Sequence, residues 1–197
     1  MDEITKLSSA DLEMSISNQD IRISQVIAGA MFIGVFAFCA IVFFMYSKTD
    51  PSLIPEEVTD GSPVPLFSLI LIGLTIIMYF LAFNLLRIIH SPEKLKSILS
   101  GPMNGPNGPI TDTVQKLIAL NRIRMIIRLA MLEGVALFGV VALFIAVQDG
   151  TIYTDQKYWG LLIPAGLFFL YVYANFPFKQ RVIDQIENEL IKPIRSV

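Results

Sequence analysis

Cysteine occurs once, as Cys39, and histidine once, as His90. A lone cysteine excludes an intrachain disulfide. One histidine with one cysteine also falls short of the clustered nitrogen, sulfur and oxygen ligands that a metal centre requires. Charge is scarce as well. Only 16% of the 197 residues are Asp, Glu, Lys or Arg, against about 25% in an ordinary soluble domain. Net charge is −2 and the pI about 5.4, so no broad basic surface exists to hold a phosphate backbone and nucleic acid is not expected as a partner. The chain has no G-x-S-x-G elbow, no phosphate loop and no H-E-x-x-H pair, which are the compact signatures of hydrolase, nucleotide and zinc-protease chemistry. A soluble enzyme, a disordered chain and a nucleic-acid binder all fit poorly, and no metal or cofactor is expected.

Apolar residues are abundant instead. They make up 54% of the chain, with a mean hydropathy of +0.62, and they concentrate in four runs. These are Ile23–Tyr46, Pro65–Leu86, Met125–Val147 and Tyr158–Phe176. Each is close to or above the roughly 20 apolar residues that carry a helix across a bilayer. The expected fold class is an all-α integral membrane protein with four transmembrane helices. The first run is too long for a cleaved signal and no small-residue cleavage site follows it.

Basic residues orient such a chain. Lys6, Arg22, Arg87, Lys94, Lys96, Lys116, Arg122, Arg124, Arg128, Lys179, Arg181, Lys192 and Arg195 all fall on the side that holds both termini and the central connector. Lys48 and Lys157 alone fall on the other side. The expectation is therefore a multi-pass protein with N-in and C-in topology. The outer loops, Ser47–Val64 and Gln148–Lys157, are too short for a receptor or catalytic domain.

The chain divides into a cytoplasmic tail (1–22), a first transmembrane hairpin (23–90), a cytoplasmic connector (91–121), a second hairpin (122–177) and a cytoplasmic C-tail (178–197). Asn18-Gln19-Asp20 reads as a helix cap before the first run. Ser91-Pro92-Glu93 reads as a helix start, with serine as cap and proline at the first helical position. That helix ends near Leu99, where the Gly/Pro-rich stretch 101–109 begins. The glycines there lack a period of three, so the stretch is a stiff, turn-rich linker and not collagen-like. Thr111 or Asp112 can cap a new helix that continues into the third run. In the C-tail, Val182, Ile183, Ile186 and Leu190 share one helical face, which predicts an amphipathic helix. It covers the cytoplasmic end of the bundle by packing on the connector, or it lies on the membrane surface. Tyr153, Tyr158 and Trp159 read as aromatic anchors at the outer interface.

An internal repeat links the hairpins. At a shift of 100 residues, Arg22, Ile23, Ile27, Ala30, Met31, Gly34, Val35, Phe38 and Phe44 meet identical residues at 122, 123, 127, 130, 131, 134, 135, 138 and 144. The second and fourth runs align more weakly, with Tyr79 meeting Tyr171 and Ala82 meeting Ala174. Two parallel-repeat hairpins follow, of a kind common among membrane folds. Ala30-x-x-x-Gly34 and Ala130-x-x-x-Gly134 are small-xxx-small pairs, which let helix backbones approach closely where lipid supplies no hydrophobic drive. Ala30, Gly34, Ala130 and Gly134 are therefore the predicted crossing point of the first and third runs.

Glu133 is the only acid inside any run. A charge at such depth costs at least ~2.5 kcal/mol unless paired. With Arg128 at the boundary, the helical rise of about 1.5 Å per residue puts Glu133 about 7–8 Å deeper. Arg87, Asn84 and Tyr171 carry the polar groups expected at that level, on the second and fourth runs. Two roles stand open. Glu133 locks the bundle through one of those partners, or it takes up a proton or cation.

The stretch 132–143, LEGVALFGVVAL, together with Ala174-Asn175-Phe176-Pro177-Phe178, resembles bacterial four-span membrane proteins with an E-[GP]-x-A-L-F-G third helix and a proline-marked, basic exit from the fourth. Those proteins are uncharacterised, so the resemblance implies a bacterial inner (cytoplasmic) membrane but no activity. The Glu-Gly and Leu-Phe-Gly-Val-Val-Ala segments are also similar to the ion-carrying helix of ATP synthase rotor proteolipids. In those proteins the acid lies on the second helix of a hairpin, whereas Glu133 lies on the first helix of the second hairpin. The glycine-rich inner helix is absent here. The rotor role does not carry over, and the resemblance keeps ion coupling only as an alternative. The functional expectation is a non-enzymatic polytopic protein, an accessory or scaffold subunit of a larger membrane assembly. Its expected partners are the lipid bilayer and other membrane subunits or further copies of itself. The alternative is an ion- or proton-coupled transport or channel component using Glu133.

Overall fold

The structure is a computed structural model that describes residues 9–49, 62–89, 92–105, 108–110 and 112–195. Helix α1 is Ser9–Ser15, α2 Asn18–Lys48, α3 Val64–Ile89 and α4 Pro92–Ser100. Helix α5, Thr113–Gln148, is unbroken, and α6 is the short turn Thr151–Thr154. A 3₁₀ segment, Gln156–Leu162, leads into α7, Ile163–Ala174. The C-tail holds α8 (Lys179–Ile186), a π-helical turn (Glu187–Ile191) and α9 (Lys192–Arg195). Among the described residues four helical stretches are long and apolar enough to cross a membrane: Asn18–Lys48, Val64–Asn84, Thr113–Gln148 and Gln156–Ala174. They coincide with the four apolar runs. The fourth begins as a 3₁₀ helix, which rises about 2.0 Å per residue and so covers more length per residue than an α-turn.

One departure from an all-helical chain lies in the Gly/Pro-rich linker. Met103–Gly105 (β1) and Gly108–Ile110 (β2) form a minimal antiparallel ribbon, with Met103 opposite Ile110 and Gly105 opposite Gly108. Ser91 and Thr111, the expected caps of α4 and α5, lie outside the described residues, as does most of the first outer loop. The alternative cap for α5 is observed: Asp112 Oδ1 accepts from the Val114 N–H at 3.0 Å. The cap of α2 lies one residue before the expected group. Ser17 Oγ accepts from the Asp20 N–H and donates to Asp20 Oδ2 at 2.7 Å, so Asp20 returns the hydrogen bond as the third helical residue.

The chain forms two compact units. The first comprises residues 1–28, 83–128 and 175–197. Its core joins Leu12, Ile16 and Ile21 of the N-terminal part to Leu95 and Leu99 of α4. Val114, Leu117, Ile118 and Leu120 of α5 and the C-tail residues Val182, Ile183, Ile186, Leu190, Ile191 and Ile194 complete it, with Met103 packed alongside. The amphipathic C-tail therefore packs on the connector. The π turn inserts an extra residue into the helical register, which lets Leu190, Ile191 and Ile194 all turn inward. Residues 9–22, read from the sequence only as a polar tail, supply part of this core.

The second unit comprises residues 29–82 and 129–174. Helix α5 supplies the largest share of its interior, including Leu132, Val135, Ala136, Val140, Leu143, Ala146 and Val147. Val35, Cys39 and Val42 of α2 line one seam, and Phe32 meets Phe169 of α7 with ring centroids 4.8 Å apart. Gly150, at φ 80°, makes the turn after α5. A side chain at that left-handed conformation would be strained.

Candidate functional site

Helix α5 presents one buried face in the second unit, formed by Leu132, Val135, Ala136, Gly139, Val140 and Leu143. At about 100° per residue, Glu133 falls on the flank of that face and not in its middle. The acid is accordingly half-buried. Its carboxylate lies beside Gly34 of α2: a Cβ built on Gly34 would stand 3.9 Å from Glu133 Oε1. The neighbour is thus on the first apolar helix, where the sequence pointed to the second or fourth. Glu133 makes no hydrogen bond or ion pair among the described residues. Arg87 lies outside the residues whose side chains are described, while Asn84 and Tyr171 are half-buried and engaged in interactions of their own. The expected lock to Asn84 or Tyr171 is therefore not made.

Of the four small residues expected at the crossing of the first and third runs, Gly34 lies beside α5, through Glu133. Ala30, Gly34, Ala130 and Gly134 are all exposed in the chain, and a Cβ on Gly134 would meet nothing within 4 Å. Helical geometry explains this: Gly134 lies about 200° round α5 from Leu132, on the face away from the core. A separate close backbone approach, between the third and fourth apolar stretches, occurs at Gly139. A Cβ there would collide with the Leu161 carbonyl oxygen, with Leu71 also in contact at 3.4 Å. Of the nine identities at the 100-residue shift, seven share an environment, while Arg22 and Phe44 are exposed where Arg122 and Phe144 are half-buried. Val35 and Val135 are buried, Met31, Met131, Phe38 and Phe138 are half-buried, and the two alanines and two glycines are exposed.

At the far end of α5 a polar clasp closes the turn. Asp149 Oδ2 accepts from the Ser62 hydroxyl at 2.6 Å, and Asp149 Oδ1 accepts from the Thr151 N–H at 3.0 Å. The Thr151 hydroxyl donates back to Ser62 Oγ. Tyr153 donates its hydroxyl to the Tyr46 carbonyl and stacks on the Tyr46 ring, which also meets Trp159 edge-on at 5.0 Å. Tyr153 and Trp159 are thus parts of one aromatic cluster, and Tyr158 is buried. Asp155 caps the 3₁₀ segment and pairs with Lys157, whose side-chain and backbone donors hold its carboxyl below the usual value. An apolar cleft of about 290 Å³ is lined by Leu71, Ile72, Tyr158, Leu161 and Ile163. Its polar edges are already occupied: Ser68 donates to the Val64 carbonyl and Lys157 pairs with Asp155.

The first unit holds the densest charge cluster among the described residues. Arg128 forks onto Glu189, with its two terminal nitrogens 3.1 and 3.0 Å from the two carboxylate oxygens. Arg124, 4% exposed, donates to the Glu189 carbonyl at 3.2 Å and lies 3.8 Å from its carboxylate. Arg122 binds Asp20 at 3.1 Å. Buried Lys116 donates to the Leu99 and Gly101 carbonyls at 2.9 and 2.7 Å, which satisfies acceptors at the end of α4. Sequence reasoning treated these cations as markers of orientation and missed Glu189. The signal was present: Arg124 and Arg128, four residues apart on one helix face, call for a carboxylate.

Among the described residues no three His, Cys, Asp or Glu side chains are grouped so as to hold a metal ion. Compared with protein-family models, curated proteins and solved structures, the chain matches none.

Proposed function

We propose that the chain is a multi-pass protein of an inner (cytoplasmic) membrane, with both termini in the cytoplasm, acting as a non-enzymatic accessory or scaffold subunit of a larger membrane assembly. The observation that carries this reading is the contrast among its apolar helices. In the Val64–Asn84 helix only 11% of the apolar window is buried within the chain, against 50% in α5. Leu66, Leu69, Ile72, Ile76, Ile77 and Phe80 stand exposed there, a large apolar face that only lipid or partner helices can cover. The shared environments of Val35 with Val135 and of Phe38 with Phe138 support an origin in two duplicated hairpins. Extraction in mild detergent and identification of the co-purifying proteins test the proposal. Stoichiometric membrane partners or a defined homo-oligomer are expected, and a solitary monomer overturns the scaffold role.

One observation favours a second reading, an ion- or proton-coupled component. Among the described residues Glu133 makes no hydrogen bond and lies beside Gly34, and none of them supplies a counter-charge that pairs with it to compete with a proton or cation. In liposomes loaded with a pH dye, a proton leak that is absent from Glu133→Gln supports this reading. Equal traces from the two proteins refute it.

A further inference from the structure

Pro177 breaks the helix after the fourth apolar stretch, and its carbonyl accepts a hydrogen bond from Gln25 Nε2 at 3.2 Å. Both partners belong to the first unit. This bond joins the start of the first apolar stretch to the end of the fourth. Two cations flank it. Arg22 lies one helical turn before Gln25 on the same face of α2, and Lys179 lies two residues after Pro177. Arg22 is exposed and Lys179 half-buried, and neither makes a hydrogen bond or ion pair among the described residues. Asp20, the nearest acid to Arg22 in sequence, is taken by Arg122. Asp184, exposed on α8, is five residues from Lys179 and about 140° round the helix from it. Beside the cations stand apolar side chains open to the surroundings: Val26 is 70% exposed and Phe178 55%.

We infer that this edge binds the phosphate headgroup of an anionic phospholipid. Arg22 and Lys179 would face the phosphate, and Val26 and Phe178 would lie against the upper acyl chains. The combination fits a lipid better than a soluble anion. Free phosphate uses the two cations but leaves the adjoining apolar surface in water. A basic residue at a bilayer surface attracts anionic lipid, and here two such residues from opposite ends of the chain flank one hydrogen bond, Gln25 to Pro177. The inference rests on the membrane reading proposed above.

The test uses the full chain purified in detergent and mixed with equimolar dioleoylphosphatidylglycerol and dioleoylphosphatidylcholine, with retained lipid counted by native mass spectrometry. Phosphatidylglycerol should be retained several-fold over phosphatidylcholine. Each cation removed, in Arg22→Gln and Lys179→Gln, should lower that preference roughly five-fold or less, and the double variant should approach none. Arg22→Lys with Lys179→Arg should keep it, as should Lys94→Gln with Lys96→Gln. If the double glutamine variant does not fold, the parent decides: the preference should fall between low and high salt. No preference in the parent, a preference that ignores salt, or one that survives the double variant overturns the inference. Displacement of the lipid by millimolar inorganic phosphate assigns a soluble anion and also overturns it. A carbonate wash separates the two levels. A chain that washes off membranes refutes the membrane reading itself. A chain that stays embedded yet shows no lipid preference refutes only the headgroup site.

Discussion

Glu189 is one carboxylate serving two arginines. Arg128 takes both of its oxygens, and buried Arg124 takes its backbone carbonyl. Glu189→Gln removes the charge that offsets them but keeps much of the shape. Because its side chain is 32% exposed, solvent screens part of the loss. A destabilisation of about 1–2 kcal/mol is expected, read as a lower thermal midpoint in detergent. Glycines give the opposite kind of test, because their roles differ by position. Gly139→Ala forces a methyl against the Leu161 carbonyl and should cost about 1–3 kcal/mol by overpacking. Gly134→Ala meets open space and should be neutral or slightly stabilising, since alanine is the better helix former by about 1 kcal/mol. Thermal unfolding of the two variants side by side decides the point, and equal midpoints would contradict the assigned contact.

At the scale of elements, α4 shows how a short helix is held in place. It has nine residues, fewer than an isolated helix needs to be stable in water. Leu95 and Leu99 bury one side of it. Lys116, reaching from α5, donates to the Leu99 and Gly101 carbonyls that its last turn leaves without helical partners. Methionine at 116 fills similar space but donates nothing. Lys116→Met should strand two acceptors and cost about 1–3 kcal/mol. Hydrogen exchange should show earlier opening across 93–101, with the α5 segment after Leu129 unchanged. Uniform protection in both segments would mean that α4 does not depend on this cation. The C-tail obeys the same logic by other means. A π turn, and not a cap, changes register so that Leu190, Ile191 and Ile194 all reach the core.

For the molecule as a whole, the cationic residues of the first unit differ in how they are used. Lys116, Arg122, Arg124 and Arg128 are committed to interactions within the first unit, whereas Arg22 and Lys179 are not. Orientation in a membrane follows from lysine and arginine near the ends of the apolar segments, not from net charge, so later pairing with acids does not cancel the bias. Reporter fusions after Pro51 and Asp155 should therefore report the outside, and fusions at Gly105 and Val197 the cytoplasm. An external signal at Gly105 would overturn the proposed orientation.

The apolar runs alone determined the four long helices, because a segment of about 20 apolar residues has few ways to satisfy its backbone besides forming a helix. Local chemistry was legible in the same way. Asp112 caps α5 as expected, and the face Val182, Ile183, Ile186 and Leu190 is buried as its spacing required. Contacts between distant segments were not legible. Periodicity states which face of a helix is apolar but not which neighbour covers it, so Gly134 of the expected crossing meets open space, while a tight approach that no pattern indicated lies between Gly139 and Leu161 of the fourth stretch. For the same reason Glu133 came to rest beside Gly34, and the carboxylate for Arg124 and Arg128 came from Glu189, 61 residues beyond Arg128. Both outcomes depend on the rotation of α5 and on the register of the C-tail, which are set by tertiary contacts that a linear pattern does not encode.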